Sequence, residues 1–260
     1  MPTFYSVNVH MRLLCVVLAG LTLVVSGCSL FRGKKSEKPA LELASEGVDH
    51  YDAGNYKKAI EAFEQLRDWY PFSKYAILAE LKIADSHYQL KQYEDAIFAY
   101  EEFENLHPRN EAVPYVVYQI GRSYFDQIDT VDRDQTTAQN ALKTFSRLLQ
   151  QHPNNAYARQ AESHIKACLK SLAGHDYYVG LFYYKGKHYK AALKRFESIV
   201  IQYPDVGIHF EALQYITRCE EEIQKQEMGG QKALTESKEE APKGRDLWED
   251  LPLSKTPQPH

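Results

Sequence analysis

The side chains able to hold a metal or attack a substrate are few and scattered along these 260 residues. Histidines run singly from His10 to His260, without an HExxH pair. The four cysteines, Cys15, Cys28, Cys168 and Cys219, make neither a CxxC motif nor a disulfide ladder. No serine sits in a GxSxG elbow, and Gly27 and Gly54 belong to no phosphate loop. The acidic runs Glu101-Glu102 and Glu220-Glu221-Glu222 read as solvated helix faces, not acid/base pairs. These residues point away from an enzyme, from a bound metal and from any cofactor. The net charge of -4 gives no cause to expect nucleic acid.

One cysteine has a context that implies chemistry. From Leu13 to Val25 the chain is almost purely apolar, with Arg12 just before it. That is a short basic region followed by a hydrophobic run, the pattern of an export signal. The run is too short for an ordinary bilayer span, which needs about 20 residues. It closes on Val25-Ser26-Gly27-Cys28, which looks like a bacterial lipobox. Cleavage before Cys28 would free its thiol and amine to carry acyl chains. A single chain binds a membrane reversibly and two or more hold it firmly. The competing reading is an ordinary signal with an incidental cysteine. The first ten residues add nothing a signal needs, which points to Met11 as the start of translation.

The rest of the chain must then be a body for that anchor to hold, and it is built from a repeat. Ala59, Ala96, Ala141 and Ala192 each stand four positions before an aromatic: Phe63, Tyr100, Phe145 and Phe196. A proline follows each aromatic eight positions later, at Pro71, Pro108, Pro153 and Pro204. An upstream pair, four apart and so on one helix face, precedes each copy. The pairs are Gly47 and Tyr51, Ala84 and Tyr88, Gly121 and Phe125, Gly180 and Tyr184. This pattern predicts helical hairpins that end before a proline, which has no amide to donate. The alanines are expected where two antiparallel helices approach, and the aromatics in the wedge between one hairpin and the next. Successive alanines are 37, 45 and 51 residues apart. The tetratricopeptide period is about 34 residues, so the longer gaps need insertions or extended helices.

His107 and His152 both precede a closing proline, which makes them structural. Ala161, Ile165, Cys168 and Leu172 form a stripe leading toward Gly180, with Gly174 as a bend or a tolerated defect. Ala212, Leu213, Ile216, Cys219 and Ile223 begin a fifth hairpin. Gly229-Gly230 is expected to interrupt its second helix. Cys168 and Cys219 are expected as buried thiols, with a disulfide as the alternative.

The resulting organisation is a signal peptide over 1–27, a lipidated tether over 28–38, a repeat domain over 39–226 and a largely structureless polar tail over 227–260. The tail contains one apolar island around Trp248. The fold class is all-α, a tetratricopeptide-like α-α superhelix of about five hairpins. Such a solenoid presents an extended groove suited to peptides or partner domains.

Several segments go beyond the general repeat. They are GNYKKAIEAFEQLRDWYPFSKYA from Gly54 to Ala76, Asp132-Arg133-Asp134-Gln135-Thr136, Leu172-Ala173-Gly174-His175-Asp176, and Tyr183-Tyr184 followed by Gly186 to Phe196. Together with the lipobox they resemble the BamD (ComL) family, lipoproteins of the outer-membrane β-barrel assembly machine. The resemblance spans roughly Leu41 to Lys225. It implies a chain anchored in the outer membrane and facing the periplasm. It also implies a barrel-forming BamA-like subunit, other assembly-machine lipoproteins and unfolded outer-membrane proteins as partners. By the same resemblance Tyr51, Tyr56, Tyr88 and Tyr93 fall in the half that receives clients. His175, Tyr184 and Arg195 fall in the half that meets the partner subunit. The family usually has Glu where this chain has Asp176. The alternative function is a periplasmic repeat lipoprotein that binds cell-wall or secretion machinery.

Overall fold

A computed structural model describes residues 38–239 of the chain. The export signal, Cys28 and the Trp248 segment lie outside the described residues. Among those described, nine α-helices follow one another without a strand. They are α1 Ala40–Asp52, α2 Tyr56–Trp69, α3 Ala76–Gln89, α4 Tyr93–Leu106, α5 Val113–Phe125, α6 Thr136–Gln151, α7 Ala156–Lys185, α8 Tyr189–Gln202 and α9 His209–Glu239. Each helix packs on its sequence neighbours, so the chain is the predicted α-α superhelix.

Three of the hairpin turns share one device. Gly54, Lys91 and Lys187 all adopt positive φ, at 74°, 58° and 60°. The next amide reaches back over the helix end: Asn55 N–H to the His50 carbonyl, Gln92 to His87 and His188 to Tyr183. These bonds satisfy carbonyls that the helix end would otherwise leave bare. At the opposite end of the hairpins Tyr70, His107 and His152 close α2, α4 and α6 with nearly the same backbone, φ from -126° to -135°. Each stands before a proline, which disfavours a further helical residue there.

Inside each hairpin the small residue and the aromatic meet directly. A Cβ added to Gly47 would lie 2.6 Å from the Phe63 ring. At Gly121 the distance to Phe145 would be 2.5 Å, and at Gly180 to Phe196 2.7 Å. The tightest approach is therefore between glycine and aromatic, with Ala59, Ala96, Ala141 and Ala192 fully buried beside it. The expectation had put the aromatics between hairpins. Phe63, Phe145 and Phe196 instead each cover their own hairpin's glycine, and Tyr100 shares its cluster with Ala84. Phe63 still shares its core cluster with Ala79 and Ile83 of the next hairpin.

The irregular repeat spacing has two sources. A connection over 126–135 separates α5 from α6, and α7 is 30 residues long. Ala158, Ala161 and Cys168, in the first part of α7, pack into the Phe145 core, and Ala173 packs into the Phe196 core. One helix thus closes the third hairpin and opens the fourth. Gly174 does not break it: a Cβ there would stand 3.1 Å from Val131 Cγ1, so the glycine admits the long connection against α7.

The last helix differs from the sequence reading. Gly229-Gly230 does not interrupt α9, which continues to Glu239, so 227–239 is helical and not structureless. Each glycine costs a helix only about 1 kcal/mol, and Gln, Lys, Glu and Ala around them are good helix formers. Leu213, expected in the core stripe, is half exposed at 50%. Ala212 and Cys219 are buried. The fifth hairpin is thus one helix among the described residues. Cys168 and Cys219 are both buried free thiols. Burial pushes their thiol pKa values up to about 12 and about 11, which keeps both neutral and unreactive.

Candidate binding surfaces on the superhelix

The first surface grows from the tyrosines of α1, α3 and α5. Tyr51 meets Tyr56 edge to face at 5.4 Å, and Tyr88 meets Tyr93 in the same way at 5.9 Å. Both pairs sit at the hairpin turns, where the chain reverses within three residues. Such edge-to-face pairs place a positive ring edge against a negative face. Tyr184 and Tyr189 repeat the arrangement at 5.4 Å in the fourth hairpin. All six rings are half-buried. Their recurrence at one repeat position gives them a packing role, and their open edges remain available for contact.

Between these pairs lies a polar hub the sequence reading missed. Asp85 is 3% exposed. Its Oδ1 accepts hydrogen bonds from the Tyr100 and Tyr115 hydroxyls, both at 2.7 Å. Its Oδ2 takes Lys82 Nζ at 3.1 Å. The same ammonium stands 4.1 Å over the Tyr51 ring. Burial and the Asp85 charge push Tyr51 up to about 12. The same causes, in the same order, hold Tyr100 and Tyr115 well above the usual phenol value. The signal was present in the sequence: an aspartate directly after Ala84, inside an apolar stripe.

Tyr88 is tied to the third hairpin. Its hydroxyl donates to Asp126 Oδ2, and Arg122 Nη2 reaches it at 2.8 Å. Arg122 Nε is buried without a hydrogen-bond partner among the described residues. A buried donor left unmade costs about 1–3 kcal/mol.

The second surface lies on the C-terminal half. A cleft of about 430 Å³ opens between the N-terminus of α6, the middle of α7 and α8. His175, Asp176 and Arg195 line it with Tyr203. Asp176 is 7% exposed and central. It accepts from Arg195 Nη1 at 2.9 Å, from Ser198 Oγ at 3.2 Å and from the Tyr203 hydroxyl at 3.3 Å. His175 donates from Nδ1 to the Val131 carbonyl at 2.6 Å, and Ser171 donates to Gln135 Oε1 at 2.9 Å. Both fasten the long connection to α7. The structure thus brings His175 and Arg195 together. Tyr184 stands apart, held between Tyr189 and Tyr215.

Asp176 also echoes an earlier repeat. It stands four residues before Gly180 and binds the ring just before Pro204. Glu80 stands four residues before Ala84 and pairs with His107, just before Pro108, at 2.6 Å. A carboxylate at this position joins the first helix of a hairpin to the residue that ends the second. Among the described residues no three His, Cys, Asp or Glu side chains converge as metal ligands.

This geometry describes a two-surfaced repeat body, and comparison with known proteins supplies the family. The model of the YfiO family, outer membrane lipoproteins, matches residues 36–235. The chain belongs to that family. An outer membrane protein assembly factor BamD from Caulobacter vibrioides is 31% identical over 194 residues, 73% of this chain and 63% of the relative. The chain therefore spans somewhat less than two thirds of that relative's length. The assembly factor of the same name from Rickettsia prowazekii is 32% identical over 195 residues, 74% of this chain and 76% of the relative. The YfiO match begins at residue 36 and ends at 235, so it takes in both surfaces and most of α9. Among solved structures, the TPR2AB domain of yeast Sti1 in its pHSP90 complex is 16% identical, with a TM-score of 0.41. The likeness covers 71% of this chain and 70% of that one. At that score the superposition carries no argument about a site.

Proposed function

We propose that this chain is a non-enzymatic scaffold of outer-membrane β-barrel protein assembly. The observation that carries the reading is the family match across residues 36–235, set on a superhelix with two separate polar-aromatic surfaces. Lipid on Cys28 would tie the body to the outer membrane on its periplasmic side. The N-terminal surface, with Tyr51, Tyr56, Tyr88 and Tyr93, would take the extended segments of unfolded clients. Rigid rings with one polar handle suit that task, because they offer contact area at little conformational cost.

The C-terminal cleft would carry the barrel-forming BamA-like subunit. Arg195 is half exposed, with one edge spent on Asp176 and the other open to a partner. His175 lines the same cleft, and Tyr184 would contribute from the neighbouring face. Support for the non-enzymatic role comes from the residues themselves. The most buried carboxylates, Asp85 and Asp176, are engaged by tyrosines and cations in ways that fix helices together.

The test is affinity purification of the lipidated protein from detergent-solubilised membranes. A barrel-forming protein with periplasmic repeats should be recovered with it. Recovery of cell-wall-bound partners alone would overturn the reading in favour of another periplasmic repeat lipoprotein.

A further inference from the structure

The two ends of the first two hairpins differ in character. The turn ends carry Gly54, Asn55, Lys91 and Gln92, all exposed and polar or small. The opposite end exposes large apolar side chains. Leu41 opens α1, Trp69 closes α2, Ile77 opens α3 and Leu106 closes α4. Antiparallel packing puts all four at the same rim. Between Trp69 and Ile77 the connecting loop holds Phe72 with a relative exposure of 101%. A phenyl ring wholly in water, beside a half-exposed tryptophan, buries nothing in the body and contributes nothing to its core.

The chain leading to this rim says what could cover it. The Tyr70 hydroxyl donates to the Lys38 carbonyl at 2.9 Å, which fixes the root of the tether to the loop that carries Phe72. Lys38 follows Cys28 by only ten positions. Fully extended, that stretch reaches at most about 36 Å. A 14-residue helix is about 21 Å long, so the turn ends stand that much farther from the tether root. The tether is also basic: Arg32, Lys34, Lys35 and Lys38 outnumber Glu37. Lys74 adds a cation within the loop, next to the Tyr75 ring at 5.0 Å. Basic residues near a membrane are drawn to anionic headgroups, and tryptophan settles at the headgroup level.

We propose that this rim, led by Phe72 and Trp69, lies in the headgroup layer of the bilayer that holds the lipid anchor. The anchor alone is a single point of attachment and sets no orientation for the body. A second, aromatic contact sets its orientation, with α1 to α4 standing on the membrane and their turn ends facing away. The proposal rests on the Cys28 anchor proposed above, and the two can fail separately.

The test uses the full lipidated protein with Trp248→Phe, which leaves Trp69 as the sole tryptophan. It is reconstituted in vesicles of phosphatidylethanolamine and phosphatidylglycerol, with or without a phosphatidylcholine brominated near the glycerol end of its acyl chains. Trp69 emission should shift to the blue and be quenched about twofold by the brominated lipid, as for an interfacial tryptophan. Phe72→Ser should remove most of that quenching while the protein still sediments with the vesicles. Its exposed position makes a folding defect foreign to it. Sedimentation with unquenched, red-emitting Trp69 would overturn the rim contact and leave the anchor standing. Failure of the lipidated protein to sediment would overturn the anchor, and the rim proposal with it.

Discussion

At the scale of single residues, the molecule is governed by where a Cβ has no room and where a charge has no water. Gly121→Ala illustrates the first. Alanine favours a helix over glycine by about 1 kcal/mol. Yet its Cβ would meet the fully buried Phe145 ring at 2.5 Å, and overpacking a core costs about 1–3 kcal/mol. The substitution should therefore leave stability unchanged or lower by up to about 2 kcal/mol in urea unfolding. A stabilised variant would refute the assigned contact. His164 illustrates the second. Burial first, then the Arg122 charge, hold its pKa below the ordinary imidazole value of 6.5. The ring stacks on Phe145 at 5.2 Å and lies edge-on to Phe125 at 4.6 Å. Because the folded state resists protonation, the unfolded chain binds the extra proton as pH falls below about 6.5. Stability is then full above that pH and declines below it. His164→Gln should flatten this part of the melting-temperature profile, and an unchanged slope would place the titration elsewhere. The Gly–aromatic spacing was readable from sequence because helix geometry fixes it. The carboxylate hubs at Asp85 and Asp176 were not, since their partners come from residues 15 to 30 positions away.

At the scale of elements, three of the hairpins share one turn geometry but not one residue type. Gly54 takes the left-handed position freely, while Lys91 and Lys187 are forced into it. A non-glycine residue in that region is strained by about 1–2 kcal/mol. Lys91→Gly should accordingly stabilise the protein by about 1 kcal/mol in chemical denaturation. A loss of stability would mean the lysine side chain contributes more than its backbone costs. The helices themselves were legible because prolines, glycines and a period near four mark their ends and faces. Two elements were harder. The long α7 has a glycine at its middle, and only the docking of Val131 shows why the helix runs through. The end of α9 carries paired glycines that read as a stop, yet local propensity on either side sustains the helix. Sequence punctuation is a weak signal where no tertiary contact reinforces it.

At the scale of the whole molecule, the order of hairpins along the superhelix separates the surfaces. The tether root and the aromatic rim belong to the first hairpins, the Asp85 hub to the second and third, and the Asp176 cleft to the third and fourth. Repeat bodies transmit contacts only between neighbours, so each surface can be occupied without remaking the others. That is the arrangement expected of a scaffold that must hold a membrane, a client and a partner subunit together. The role proposed for this scaffold is the assembly of outer-membrane β-barrels. The most direct measurement depletes the protein from its own cells and follows the folded fraction of several outer-membrane β-barrel proteins by heat-modified gel mobility. The account predicts that folded barrels fall while unfolded precursors accumulate in the periplasm, and that the intact chain restores them. Normal levels of folded barrels through depletion would contradict it.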